Sequence, residues 1–284
     1  MKNVCLTLLP LFIASCSGSE TQLKEVGSLS LKEVSGLEYV NGSLWALEDS
    51  GNKNSIYKLS PKGKIEQQVV IANVKNIDWE ELTSDKEGNL YIGDFGNNDS
   101  NRKDLAIYKL DAANLKKAVS AIKFYYPEQK EFPPKKSNLI YDCEAFFEHE
   151  GNFYLFTKNR SKGFNGEFQV YKVPNRQGNH AAQLLGTLTA CDNFRKCAIT
   201  GADISPDGKK VALISGDKVW LLTGFGKDNL AKGSLQMLEL GHWSQKEGIA
   251  FKDNDVLTIA DEKSKKEGGK LYEVKLSDLL KAKQ

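Results

Sequence analysis

The sequence predicts an all-β chain folded as a five-bladed β-propeller, and three observations predict it. A motif built from a polar residue, a small residue and two apolar runs occurs five times along the 284 residues. No stretch carries the sustained 3.6-residue periodicity of long helices. With 24 Gly, 7 Pro and 10% aromatic residues, the composition suits many short strands joined by tight turns. Apolar residues at 40% and charged residues at 27% support a real core and exclude wholesale disorder. Lys and Arg total 39 against 37 Asp and Glu, a net charge near +2 that gives no reason to expect a nucleic-acid partner.

From the N-terminus, Lys2 precedes an apolar run from Val4 to Ala14, too short to span a bilayer and suited to a secretory leader over residues 1–15. The run ends in Ile13-Ala14-Ser15-Cys16, the pattern of a bacterial lipobox, so Cys16 is expected to carry lipid. Residues 16–22 read as a short tether, and 23–284 as one propeller domain. The expected location is the cell envelope, the only membrane contact being the anchor; Ser17 favours the outer membrane. The chain is expected to be a monomer.

The repeats follow in order. They are SGLEYVNGSLWAL from Ser35, EELTSDKEGNLYIGD from Glu80, EAFFEHEGNFYLF from Glu144, TGADISPDGKKVALI from Thr200 and EGIAFKDNDVLTIAD from Glu247. Each reads as a β-hairpin, with turns at Asn41-Gly42, Glu87-Gly88-Asn89, Glu150-Gly151-Asn152, Asp207-Gly208 and Asp253-Asn254. A third strand follows each: SIYKL, LAIYKL, FQVYKV, KVWLL and KLYEVKL. The segment from Leu23 to Leu31 then supplies the outermost strand of the last blade, closing the ring without an exposed edge. A six-bladed ring, with a degenerate repeat between Leu110 and Ile140, is the competing architecture.

In a propeller the first strand of each blade lines the axis, so alignment brings Ser35, Glu80, Glu144, Thr200 and Glu247 together there. Three carboxylates that close are costly unless a cation joins them, and an all-oxygen set without His or Cys favours Ca²⁺. The simpler alternative is a water-filled channel. Glu38 and Asp203, three residues further along their strands, form an incomplete second acidic ring. In an exported protein, Cys191 and Cys197 are expected to form a disulfide. Cys143 reads as a buried small hydrophobe.

These blades resemble the calcium-activated nucleotidase (apyrase) family in SGLEYVNGSLWALEDSGNKNSIYKL, WEELTSDKEGNLYIGDFG, CEAFFEHEGNFYLFTKNRS and KEGIAF. The chain is also similar to SdiA-regulated-like proteins and esterase-like phytase domains. The apyrase resemblance implies a five-bladed propeller with axial Ca²⁺ held by the same five residues. It further implies phosphate hydrolysis on one face, here at loops Glu48-Asp49-Ser50, Asp94 to Asn98 and Lys158-Asn159-Arg160, with Asp49, Asp94 and Arg160 as the catalytic set. The chain departs from the family where Asn159 interrupts a basic pair and where the second loop is rich in Asn and Asp.

Other motifs are absent or bland. Asp94-Phe95-Gly96 lacks the companion motifs of a kinase and reads as a turn. There is no GxxxxGK[ST], HExxH or GxSxG. Trp45 and Trp220 alternate with apolar residues and belong to the core, whereas Trp79 and Trp243 stand just before inner strands and read first as core, with a pocket edge as the alternative. Two readings stay open: a module binding a phosphorylated ligand, glycan or protein partner, and a Ca²⁺-dependent phosphohydrolase.

Overall fold

The computed structural model describes residues 23–226, 229–264 and 267–282. The expected leader, the lipidation at Cys16 and the tether lie outside these residues. After β1 (Lys24–Ser28), the first blade runs β2 (Val34–Val40), β3 (Ser43–Glu48), β4 (Ser55–Leu59) and β5 (Ile65–Val70). The second has β6 (Trp79–Ser84), β7 (Leu90–Asp94), β8 (Ala106–Asp111) and β9 (Asn114–Tyr125). The third begins with β10 (Asp142–His149), β11 (Asn152–Lys158) and β12 (Glu167–Pro174). Next, β13 (Gly178–Ala181) crosses to pair in parallel with β9, and β14 (Gln183–Thr189) returns as the third blade's outer strand. A short helix, α1 (Phe194–Cys197), leads into the fourth blade, β15 (Gly201–Ile204), β16 (Lys210–Ser215), β17 (Lys218–Thr223) and β18 (Ser234–Glu239). The fifth has β19 (Lys246–Phe251), β20 (Val256–Asp261) and β21 (Lys270–Lys275), followed by α2 (Leu276–Lys281).

Five sheets form the ring among the described residues. β1 pairs antiparallel with β21, Lys24 opposite Glu273 and Ser28 opposite Lys270, so the N-terminal strand completes the last blade. The six-bladed alternative fails because the stretch from Leu110 to Ile140 becomes the end of β8, the long outer strand β9 and a loop, not a further sheet. Two hairpins turn on residue pairs with positive φ: Asn41 and Gly42 at 50° and 72°, Glu150 and Gly151 at 49° and 75°. That geometry matches the right-handed twist of the flanking strands, and Asn and Gly adopt it readily. Apolar side chains pack between neighbouring blades, as where Leu37, Ala46 and Tyr57 of the first meet Ala250, Ala260 and Leu271 of the fifth. No helix among the described residues is long and apolar enough to cross a membrane.

Candidate functional site

The five inner strands β2, β6, β10, β15 and β19 surround the axis. In four of them the pairing with the next strand slips by one residue at the same point of the repeat. The slip falls at Ser35, between Val34 and Gly36, and at Glu80, between Trp79 and Glu81. It recurs at Glu144 and at Glu247. Thr200 occupies the equivalent place, one residue before β15. A bulge bends its strand and re-aims the extra side chain. Here all five side chains line one opening, a cavity of about 390 Å³. Each is only 3–8% exposed.

The small residue after each bulge also has a physical reason. A Cβ on Gly36 would stand 2.7 Å from Glu81 Oε1, one on Gly201 2.2 Å from the Glu247 carbonyl oxygen, and one on Gly248 2.7 Å from Leu37. The inner strands approach too closely for side chains there. The second blade breaks the rule by placing Glu81 at this position. Its carboxylate reaches across the axis: Oε1 accepts the Leu37 and Leu82 N–H groups at 3.2 and 3.0 Å, and Oε2 accepts the Ala202 N–H at 3.2 Å. Glu81 is fully buried and ties three blades together, beneath the opening. In the Glu80-Glu81 pair, the sequence signal that marks Glu81 as unusual is its place at the repeat's small-residue position.

The donors differ in how they are held. Ser35 Oγ donates to the Trp79 carbonyl at 3.4 Å, and Thr200 Oγ1 donates to the Lys246 carbonyl at 2.6 Å. Hydroxyls that donate inward leave lone pairs free for the opening. Glu144 instead accepts Lys158 Nζ at 2.7 Å and Arg160 Nη2 at 2.6 Å, and Arg160 also bonds Asp142. Burial works against ionisation of Glu144, but these two cations hold its carboxyl below the ordinary range. Neither Glu80 nor Glu247 has a hydrogen-bond or ion-pair partner among the described side chains. Burial, with Glu144 nearby, pushes Glu80 well above the carboxylate range; burial pushes Glu247 up to about 8 against the pull of Lys158. Among the described residues no three acidic, His or Cys side chains stand ready-made around a metal position.

At the mouth, Asp49 lines the opening and is pushed up to about 7 by burial and by Glu33 and Asp78. Glu262, across the ring closure, rises to about 7 by burial and the Asp49 charge. Arg160 lines the opening but spends its donors on Asp142 and Glu144. Asp94 does not line it. This residue is fully buried, accepts the Asp78 N–H at 3.1 Å and pairs with Arg102 at 3.0 Å. The expected catalytic set is therefore divided: Asp49 and Arg160 at the opening, Asp94 in a buried ion pair. Lys158, Asp142 and Glu262 complete the charge network, and nothing in their local spacing flagged Asp142 or Glu262.

The remaining candidates also find places. Cys191 and Cys197 are disulfide-bonded, Cα atoms 5.4 Å apart, closing the loop that carries α1. Cys143 is a buried free thiol. Trp79 is fully buried, its indole N–H on the Lys75 carbonyl, while Trp243 is 44% exposed and lines the opening. Glu38 and Asp203 face a separate cavity of about 490 Å³ that shares no lining residue with the first.

No family model matches the chain, and no curated protein matches it. Among solved structures it is similar to the PQQ-bound form of aldose sugar dehydrogenase from Streptomyces coelicolor. That likeness has a TM-score of 0.48 at 10% identity, covering 89% of this chain and 97% of that one. It is also similar to virginiamycin B lyase from Staphylococcus aureus, with a TM-score of 0.41 at 15% identity, covering 86% of this chain and 66% of that one.

Proposed function

We propose that the protein is a ligand-binding propeller of the bacterial cell envelope, lipid-anchored through Cys16, whose axial opening holds Ca²⁺. The observation that carries this reading is the repeated bulge. The same local irregularity in four blades turns an oxygen-bearing side chain onto the axis, and Thr200 supplies the fifth. The donor chemistry fits a hard cation: Ser35 and Thr200 offer hydroxyl lone pairs, and Glu80 and Glu247 offer carboxylates with no counter-charge in contact among the described residues. Four buried carboxylates, Glu80, Asp142, Glu144 and Glu247, face two cations, Lys158 and Arg160, an imbalance that one divalent ion offsets. Glu144 joins the set by releasing Lys158. Bound there, Ca²⁺ supplies positive charge and open coordination positions to a ligand's oxygens. Calorimetric titration of chelator-stripped protein with Ca²⁺ tests the reading. One site with release of protons is expected, and no heat of binding at millimolar Ca²⁺ contradicts it.

A second reading rests on Asp49. A carboxyl pushed to about 7 at the mouth of a cavity matches a general base for hydrolysis of a phosphate ester or anhydride. Arg160 stands on the same opening. A panel of nucleotides and phosphomonoesters, with Ca²⁺ and with chelator, separates the two. Turnover abolished by chelator and by Asp49→Ala supports the enzyme; none on any substrate leaves the binding module.

A further inference from the structure

We propose that the ligand of the axial opening presents a neutral sugar ring, which stacks on Trp243 while its hydroxyls are held by the Asp49 and Glu262 carboxyls at the mouth. This deepens the binding reading and rests on it. The other three tryptophans, Trp45, Trp79 and Trp220, are buried at 0–6% exposure. Trp243 and Phe194, at 44% and 38%, stand open on the lining of the same cavity. They are held rigidly. The indole N–H of Trp243 donates to the Arg195 carbonyl at 3.0 Å, and the Arg195 guanidinium lies 4.6 Å from the ring centre. Phe164 packs edge-on against Phe194, centroids 5.4 Å apart, and the Cys191–Cys197 disulfide fixes the loop between. A pre-ordered aromatic wall beside a polar cavity suits a ligand with an apolar face and a hydroxylated rim.

The polar lining argues for a neutral ring over a phosphorylated one. Lys158 and Arg160 already serve Glu144 and Asp142. Lys246 Nζ donates to the Gly216 and His242 carbonyls and to Ser244 Oγ at 2.8–3.1 Å. Among the described lining cations only Arg195 is outside such a network, and it lies against the indole. Asp49 and Glu262, outside the metal set, meanwhile present acceptors without an ion pair among the described residues. Away from the bound cation, phosphate meets the Asp49 and Glu262 carboxyls with no counter-charge among the described residues, whereas sugar hydroxyl groups find acceptors there.

Methyl glycosides of glucose, galactose, mannose and N-acetylglucosamine, alongside the corresponding sugar 6-phosphates, are titrated into the intact protein in Ca²⁺, following tryptophan fluorescence and heat. Saturable binding of at least one neutral glycoside is expected, and tighter than its phosphate. Trp243→Ala weakens it about tenfold, and Phe194→Ala, a second rim variant, weakens it too; circular dichroism verifies that each is folded. Tighter binding of the phosphates, undiminished binding by folded Trp243→Ala, or no neutral glycoside bound up to about 10 mM overturns the proposal. The Ca²⁺ titration on the same sample keeps the two readings apart. Ca²⁺ bound without any sugar overturns this inference alone, and absent Ca²⁺ binding overturns the reading beneath it.

Discussion

Replacing Glu81 is the sharpest probe of how the ring is held at its centre. Its carboxylate accepts three backbone N–H groups, from Leu37 in the first blade, Leu82 in its own and Ala202 in the fourth, where glycines leave no room for another side chain. Glu81→Ala strands all three donors in a narrow space. At about 1–3 kcal/mol per unsatisfied group, less whatever entering water restores, the loss is about 3–5 kcal/mol. For a chain of this size that is about 10 °C in melting temperature. Glu81→Gln keeps the two bonds to Oε1 but sets its amide against the Ala202 N–H, a loss of about 1–3 kcal/mol. Part of that returns because a buried charge is removed. Burial raises the Glu81 carboxyl well above the ordinary range against the pull of its backbone donors, and the Asp203 and Glu38 charges add to the rise. A raised carboxyl binds its proton more tightly folded than unfolded, so its stabilisation is complete at acid pH and is lost as pH rises through the folded value. Glu81→Gln is therefore nearest to wild type at alkaline pH and furthest from it at acid pH. Differential scanning calorimetry between pH 5 and pH 8.5 reads both effects. A wild-type melting temperature for Glu81→Ala refutes the three-blade tie, and a pH-independent difference for Glu81→Gln refutes the raised carboxyl.

Three further outcomes are expected. Asp203, pushed up to about 7 by burial, contributes stability below about pH 4 that disappears as pH rises through 7; Asp203→Asn flattens that part of the thermal stability profile. Asp94→Asn breaks a buried pair with Arg102 and lowers stability by about 2 kcal/mol in denaturant titration, while Ca²⁺ affinity stays unchanged because the residue is off the opening. Cys191→Ser with Cys197→Ser lowers stability by about 2 kcal/mol, and limited proteolysis then cuts first in the loop carrying Phe194.

The ring itself was legible because each blade repeats one hairpin pattern, and the closing strand was legible because the last repeat lacked an outer partner that Leu23 to Leu31 matched. The five axial positions were legible for the same reason. Their bulges were not, since a bulge has no residue signature beyond the polar-small pair near the start of the inner strand. Side-chain pairing was hidden too. Glu144 reads as a free ligand in its repeat, yet Lys158 and Arg160 approach it from the next strand and the loop after it. Asp94 illustrates the converse: an acidic residue in the expected loop, drawn inward by Arg102 across a turn whose course the local sequence does not dictate. The β13 strand joining the second blade was missed because a four-residue parallel pairing depends wholly on where β9 ends.

The most direct test of the account is the position of the metal. Crystals of the protein grown in Ca²⁺ are expected to show one cation on the propeller axis, bonded to oxygens of Ser35, Glu80, Glu144, Thr200 and Glu247, with Lys158 displaced from Glu144. The Glu80→Gln, Glu247→Gln double variant should lose that peak. An axis without a cation, Lys158 still on Glu144, or a peak that survives in the double variant contradicts it.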